Sequence, residues 1–194
     1  MFIVLEGPDG AGTTRQSEFL AKRMEAAGRK VFVTAEPTHG EIGAWIRSEL
    51  KKGELPPEAL QLLFCADRAE HIERVIKPAI ERGEDVISDR YSLSTLAYGE
   101  ASGVDRNWLA QINDHFLKPD LTFLLLPPLS VCMERLSRRS TADMFEKEEF
   151  QKKVHASYHS ILKDNPGIHM IDSSGEKEAT ADLIWEIISG TLQK

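Results

Sequence analysis

A glycine-rich segment near the start of the chain restricts the possible folds more than any other feature. The apolar run FIVLE (2–6) leads directly into GPDGAGTT (7–14), and a segment of helical periodicity follows (13–27). Glycines permit positive φ angles, so successive backbone N–H groups can converge on an anion at the N-terminus of the helix. The order of strand, glycine loop and helix therefore predicts a phosphate-binding loop. A tight turn without a ligand is the alternative interpretation.

The other apolar runs extend this pattern along the chain. Short apolar runs alternate with longer segments of helical period, which is typical of a parallel sheet covered by helices. We therefore predict an α/β fold, a three-layer sandwich in which helices cover both faces of a five-stranded parallel sheet. The predicted strands are 2–6, 31–35, 85–88, 121–126 and 168–171, and the predicted helices are 13–27, 41–52, 57–82, 93–101, 106–117, 129–139, 146–164 and 177–190.

Length, charge and cysteine content narrow the classes of function. The chain has 194 residues and a formal net charge of −7. This suits a single domain (1–194) and argues against broad binding to nucleic acid, because such binding depends on basic residues. No run reaches the roughly 20 apolar residues that cross a bilayer, and the start shows no signal-peptide pattern. With only Cys65 and Cys132, we expect a soluble cytoplasmic protein with no nucleic acid or membrane partner.

The glycine loop departs from the usual pattern G-x-x-x-x-G-K-[ST] at one position. Thr13 stands where the pattern has lysine, while Thr14 keeps the hydroxyl that ligates Mg²⁺. A charged hydrogen bond to phosphate is worth about 1.5–3 kcal/mol, so another cation has to supply this charge. Arg15 is the nearest candidate, although one step along a helix turns a side chain by about 100°. The basic segment RLSRRSTAD (135–143) is the second candidate.

Three further segments identify a family. They are EPTHGEIGAWIR (36–47), LFCADRAEH (63–71) and SDRYSLSTLAY (88–98). Together with the glycine loop they resemble thymidylate kinases, and the resemblance continues through PDLTFLLL (119–126) and DMFEKEEFQKKVHASY (143–158). Several motifs in the right order are far more specific than any one of them.

The resemblance implies both a fold and an activity. The fold is that of the P-loop NTPases, with a small lid at about 135–146. The implied activity is the phosphorylation of dTMP to dTDP with ATP as phosphate donor and Mg²⁺ as cofactor, by a homodimer. Two alternatives stay open, namely a kinase for another nucleoside monophosphate such as dUMP and a nucleotide-binding protein that is catalytically impaired.

Phe64 and Arg68 are candidates for binding a base. They stand four residues apart on a predicted helix and so share a face, where they offer an aromatic plane and a bidentate donor. The resemblance implies the same role for both residues. The alternative places Phe64 in the core and Arg68 in a surface ion pair.

Asp89 and Arg90 directly follow the third predicted strand. Open parallel sheets carry ligand-binding residues at the carboxyl ends of their strands, so we expect Arg90 to bind the phosphate of the acceptor nucleotide. Asp89 is a candidate for holding the hydration shell of Mg²⁺ or for orienting Arg90. A helix N-cap or a structural salt bridge is the alternative for Asp89.

The resemblance also implies roles for individual residues. Asp9 is expected to face the acceptor phosphate and the sugar hydroxyl, with a turn-forming aspartate as the alternative. Gly10 places the chain nearer the members that rely on lid arginines, and a positioned arginine can stabilise the γ-phosphate during transfer. A solvated helix end is the alternative for those arginines. The expected catalytic residues are Asp9, Arg15, Arg90, Arg138 and Arg139; the ATP-binding residues are Gly7, Pro8, Asp9, Gly10, Ala11, Gly12, Thr13 and Thr14; the dTMP-binding residues are Asp9, Glu36, Pro37, Arg47, Phe64, Arg68, Arg90, Thr95 and Tyr98; and the metal contacts are Thr14 and Asp89.

Three positions depart from the family pattern. Gly99 stands where a glutamine that helps to read the base is common, Leu126 where an aspartate is often found, and Met144 where many relatives have a lid arginine. These departures raise the question of whether the chain is selective for thymine and fully active.

Overall fold

The computed structural model of the chain describes residues 1–138 and 147–192. Within these residues, five strands form one parallel sheet in the order β2-β3-β1-β4-β5, which confirms the predicted α/β fold. The strands are β1 (Phe2–Glu6), β2 (Val31–Ala35), β3 (Asp85–Asp89), β4 (Leu121–Leu125) and β5 (His169–Ile171).

Helices connect these strands, and most of their bounds agree with the prediction to within two residues. None of the helices in the described part of the chain is both long enough and apolar enough to span a membrane. The helices are α1 (Thr13–Ala26), α2 (Glu41–Lys52), α3 (Pro57–His71), α4 (Lys77–Glu81), α5 (Ser92–Ala101), α6 (Arg106–Asn113), α7 (Leu129–Ser137), α8 (Glu148–Asp164) and α9 (Lys177–Leu192).

Two helices differ from the prediction. The segment 57–82 is not one α-helix, because a π-helical turn (Ile72–Ile76) separates α3 from α4. Pro78 lacks the N–H group that would continue the regular hydrogen-bond ladder across this region. The helix predicted to reach residue 117 ends at Asn113. The chain then turns, with the N–H of Phe116 donating to the carbonyl of Asn113.

The layers follow from the alternation of side chains along the central strand β1. Ile3 lies in a core cluster that includes Leu20 of α1 and residues of α9. Val4 faces the other side, in a cluster with Ile76 and Tyr91. Every residue of β1 is buried, as expected for a strand covered on both faces. The carboxyl ends of β1, β2 and β3 meet at one edge of the sheet, and the loops after them carry the predicted site residues.

Candidate active site

A cavity of about 400 Å³ opens at this edge of the sheet. This volume is typical of small-molecule sites. All nine predicted dTMP-binding residues and both predicted metal contacts line it. The lining residues are Asp9, Thr14, Ala35, Glu36, Pro37, His39, Arg47, Leu50, Phe64, Arg68, Asp89, Arg90, Tyr91, Ser94, Thr95 and Tyr98.

The glycine loop lies beside the mouth of this cavity and leads into α1. Gly12 precedes α1, and no side chain among the described residues caps the N-terminus of this helix, so its first N–H groups can bind an anion. Gly10 has a φ of +83°, and a Cβ atom there would lie 2.6 Å from the carbonyl oxygen of Cys132. Position 10 therefore has no room for a basic side chain, which is the physical reason for the glycine.

Thr14 and Asp89 form the metal-binding candidate. The Thr14 hydroxyl donates to Asp89 Oδ2 at 2.5 Å, while Asp89 Oδ1 is buried and has no hydrogen-bond partner among the described residues. A buried carboxylate oxygen without a partner is costly unless a ligand satisfies it. Because Mg²⁺ binds proteins through one or two side chains plus substrate phosphates, this pair fits such an ion.

Arg90 occupies the centre of the site. Its φ of 70° is the only positive value for a non-glycine residue in the described chain, and such a conformation costs about 1–3 kcal/mol. The guanidinium donates to the Gly7 carbonyl at 2.8 Å and to Asp9 Oδ1 at 2.5 Å. Burial opposes the charge of Arg90, but the Tyr98 hydroxyl and the Asp9 carboxylate outweigh it and raise the pKa of the guanidinium. Arg90 is therefore a fixed positive charge.

Arg68 lies at the far end of the cavity and is only 1% exposed. Its Nε and Nη2 atoms donate to Glu36 Oε2 at 2.9 and 2.7 Å, and Nη1 donates to Asn113. The guanidinium lies over the rings of Tyr91 and Phe116, 4.9 and 5.5 Å from their centroids. The surface ion pair considered as an alternative is therefore wrong, because the pair is buried, and Arg68 lines the cavity.

The loop after β2 is held by two charged residues. Arg47 donates to the carbonyls of Pro37 and Thr38, at 3.0 and 2.6 Å. Asp67 accepts from both the N–H and the hydroxyl of Thr38. These contacts fix the wall of the cavity that contains Glu36, so Arg47 shapes this wall as well as lining it.

Gly99 does not line the cavity. A Cβ atom at this position would lie 2.7 Å from Leu109 Cδ1 and 3.3 Å from the side chain of Gln61. A side chain there would point at α6 and α3, so this departure from the family pattern reflects the packing of α5. Thr95 does line the cavity, and its hydroxyl is buried without a partner among the described residues.

Two of the arginines predicted to serve the donor phosphates, Arg15 and Arg138, do not line the cavity. Arg15 is exposed, with its guanidinium 3.7 Å from Glu18. Arg138 is also exposed and pairs with Glu134 at 2.5 Å. Arg139 and Met144 lie outside the described residues.

The glycine loop does contact an arginine, but a different one. Arg135 of α7 donates to the Gly10 carbonyl at 3.1 Å and to the Ser173 carbonyl at 2.8 Å. Arg135 belongs to the basic segment 135–143, but it is not among the predicted catalytic residues. Arg135 and Arg138 are three residues apart and so share one face of the end of α7.

Sequence reasoning missed several polar side chains that hold the site together. All of them except Ser94 lie outside the cavity lining, so the spacing of the motifs gave no signal for them. Glu6 did give one, because it is a charged residue within a buried apolar strand. The missed residues are Glu6, Asp67, Ser94, Asn113 and Tyr158.

A parallel sheet whose first strand enters a glycine loop, beside a cavity lined by Arg90, is the arrangement of a kinase with two nucleotide sites. The thymidylate kinase family model matches residues 5–184. The chain is 40% identical to a probable thymidylate kinase of Thermococcus kodakarensis over 99% of this chain and 98% of the relative. It is also 40% identical to a thymidylate kinase of Thermomicrobium roseum, over 100% and 96% of the two chains. The chain belongs to the thymidylate kinase family and is therefore a nucleoside monophosphate kinase.

Proposed function

We propose that the chain transfers the γ-phosphoryl group of ATP to dTMP, forming dTDP and ADP. One observation carries this proposal: a single cavity is lined by Asp9 and Thr14 of the glycine loop, by Arg90, and by Phe64 and Arg68. ATP binds on the loop (7–14), which we call the donor side. dTMP binds in the cavity, which we call the acceptor side.

Arg90 holds the phosphate of dTMP next to the donor. An oxygen of this phosphate is already ionised, so it attacks the γ-phosphorus without a general base, and the bond from the γ-phosphorus to the bridging oxygen of ADP breaks. Catalysis then depends on alignment and on neutralised charge. Asp9 contributes to alignment, because it accepts from Arg90 Nη2 at 2.5 Å.

Phe64, Arg68 and Thr95 recognise the base. Phe64 offers a ring face for stacking. Arg68 can only donate hydrogen bonds, so it suits a carbonyl oxygen of thymine and disfavours the amino group of cytosine. The buried Thr95 hydroxyl, which has no partner among the described residues, supplies a further polar contact.

Thr14 and Asp89 would hold Mg²⁺ together with the phosphates of ATP. The metal supplies positive charge to the phosphate oxygens during transfer. The unpartnered Oδ1 of Asp89 supports this assignment. The lost lysine charge is supplied from the lid segment by Arg138 and Arg139. Arg15 is the weaker candidate, because one step along α1 turns its side chain by about 100° from that of Thr14, and it lies beside Glu18.

We further propose that the enzyme works as a cytoplasmic homodimer. Trp45 on α2 and Leu62 on α3 are 52% and 50% exposed, and a second copy would cover such apolar surface. Light scattering tests this proposal, and a monomeric mass at working concentration would contradict it.

A coupled assay of ADP formation tests the proposed activity, with ATP, Mg²⁺ and either dTMP, dUMP, CMP or UMP. We expect dTMP to be the best acceptor. dUMP lacks one methyl group and should lose about tenfold in kcat/KM. CMP should lose about a hundredfold or more, because its amino group faces the donors of Arg68. Binding of ATP and dTMP without formation of dTDP would instead support a catalytically impaired nucleotide-binding protein.

A further inference from the structure

A carboxylate is buried directly before the glycine loop. Glu6, the last residue of β1, is 0% exposed. Among the described residues it forms hydrogen bonds but no salt bridge. Burial raises the pKa of Glu6, as expected for a carboxyl group removed from water. A leucine would fill this position of an apolar strand at lower cost, so the carboxylate needs a functional reason.

One oxygen of Glu6 organises the chain after Arg90. Glu6 Oε1 accepts from the N–H groups of Tyr91, Leu93 and Ser94, at 2.9, 3.0 and 3.2 Å. These groups belong to the start of α5, whose dipole favours a negative charge. The three bonds fix the turn in which Arg90 has its left-handed conformation, and this turn directs the Arg90 side chain back toward the glycine loop.

The other oxygen of Glu6 sets the direction of a hydroxyl bond. The Ser94 hydroxyl donates to Glu6 Oε2 at 2.6 Å, because a carboxylate can only accept. The lone pairs of Ser94 Oγ are therefore left for Arg90 Nη1, which donates to this oxygen at 3.1 Å. Arg90 Nη1 also reaches the Gly7 carbonyl. The hydroxyl of Tyr158 joins the same group, 3.2 Å from the Gly7 carbonyl and 3.2 Å from Ser94 Oγ.

We propose that Glu6 is a positioning residue for phosphoryl transfer, which orients Ser94 and the turn before α5 so that Arg90 is held at the acceptor phosphate. Glu6 itself touches no substrate. It connects the strand that enters the donor side to the arginine of the acceptor side. This inference rests on the proposed function, since the position of Arg90 matters for catalysis only if the acceptor phosphate binds there.

The substitution Glu6→Gln tests the proposal with little change in volume. The three backbone N–H groups still need an acceptor, so the amide oxygen takes the place of Oε1 and the amide nitrogen faces Ser94. This nitrogen donates to Ser94 Oγ and reverses the bond that oriented the hydroxyl. We expect kcat to fall and KM for dTMP to rise, each by about tenfold, while KM for ATP changes less than about twofold.

Two comparisons separate positioning from mere stability. Glu49 is another buried glutamate, on α2, paired with Lys52, and Glu49→Gln should leave all kinetic constants at the wild-type values. Ser94→Ala removes the hydroxyl through which Glu6 acts. If the proposal holds, the double variant Glu6→Gln/Ser94→Ala loses little more activity than Ser94→Ala alone, because the two residues act in series.

Three results would overturn the proposal. One is a Glu6→Gln enzyme with a lower Tm but wild-type kinetic constants. Another is full additivity of the two substitutions. If Glu6→Gln does not fold, Ser94→Ala decides, and wild-type kinetics in that variant would count against the proposal. Failure of the proposed function is recognised separately, because the wild-type enzyme itself would then form no dTDP.

Discussion

The acceptor side and the donor side hold their arginines in different ways. Arg68 is bound to a buried carboxylate and lies against aromatic rings, and Arg90 is bound to Asp9 and lies over Tyr98. On the donor side, Arg138 projects into solvent and pairs with a glutamate of its own helix. The acceptor side is therefore organised before any ligand binds, whereas the cations proposed for the donor side have yet to reach the phosphates.

Energetics explains why one protein uses both arrangements. Removing one partner of a buried ion pair costs about 3–5 kcal/mol, so Arg68 and Glu36 have to stay together. A surface pair is worth about 0–1 kcal/mol, so Arg138 can leave Glu134 for a phosphate at little cost. In the proposed mechanism the acceptor side gives alignment and the donor side gives charge that arrives with ATP.

The largest expected effect comes from the acceptor side. Arg90→Ala should lower kcat/KM for dTMP by about a thousandfold, because it removes the fixed charge that meets the acceptor phosphate. Arg90→Lys should recover little of this loss, since one ammonium group cannot make the four contacts of the guanidinium. Steady-state kinetics measures both effects.

Arg106→Ala is the matched control for this experiment. Arg106 pairs with Asp164 on the surface and does not line the cavity. It should retain wild-type kinetics. Thermal unfolding of all three variants checks that they fold. A folded Arg90→Ala enzyme whose kcat/KM for dTMP lies within about tenfold of the wild-type value would contradict the proposed difference between the two sides.

The elements and the acceptor side were largely predictable, for physical reasons. Strands buried on both faces give continuous apolar runs, and parallel topology brings the carboxyl ends of neighbouring strands together, so Arg90 was expected at this edge. Glu36 was expected only from the family resemblance. The two helix errors arose where other forces outweigh periodicity. Pro78 interrupts a hydrogen-bond ladder, and Phe116 leaves the helical pattern in the turn where its ring covers Arg68.

The supporting residues of the site were not predictable, because their role exists only in three dimensions. Glu6 and Ser94 are 88 positions apart and bond to each other. Asn113 orients Arg68 from another helix. On the donor side only the glycine loop was predictable, because the spacing of residues in the sequence does not determine the direction in which a surface arginine side chain points.

The second prediction concerns the backbone of the donor side. Gly10→Ala should destabilise the protein by about 2–4 kcal/mol, because it combines a left-handed residue with a Cβ atom 2.6 Å from the Cys132 carbonyl. Gly103→Ala isolates the cost of the left-handed conformation, since Gly103 has a φ of +90° and, among the described residues, no contact within 4 Å of its Cβ position. It should cost about 1 kcal/mol. Denaturant unfolding measures both, and equal losses would show that the close contact relaxes.

The third prediction separates the two donor-side arginines. Arg138→Ala should lower kcat by about tenfold, which corresponds to one charged hydrogen bond to phosphate. Arg138 lies on the face of α7 from which Arg135 contacts the glycine loop. Arg15→Ala should change kcat less than about twofold, because this side chain is turned about 100° around α1 from Thr14 and lies over Phe19. The reverse order of effects, measured in the same coupled assay, would assign the missing lysine charge to Arg15.

The smallest expected effect is the contribution of Glu6 to the pH dependence of the free energy of unfolding. Burial raises the pKa of Glu6 in the folded protein, against the lowering by Ser94 and Arg90. The folded state therefore binds a proton more tightly than the unfolded state, and the contribution of Glu6 to stability falls as pH rises from about 4.3 through the raised pKa. The wild type should lose stability relative to Glu6→Gln over this window, by no more than about 1.4 kcal/mol per pH unit.

Asp85→Asn should show the opposite sign, since Arg29 and the N-terminal ammonium outweigh burial and lower the pKa of Asp85, so that its contribution is lost as pH falls. Denaturant unfolding from about pH 2 to about pH 8 measures both, and slopes of the same sign would mean that Glu6 is held as a carboxylate by stronger positive charge than its contacts indicate.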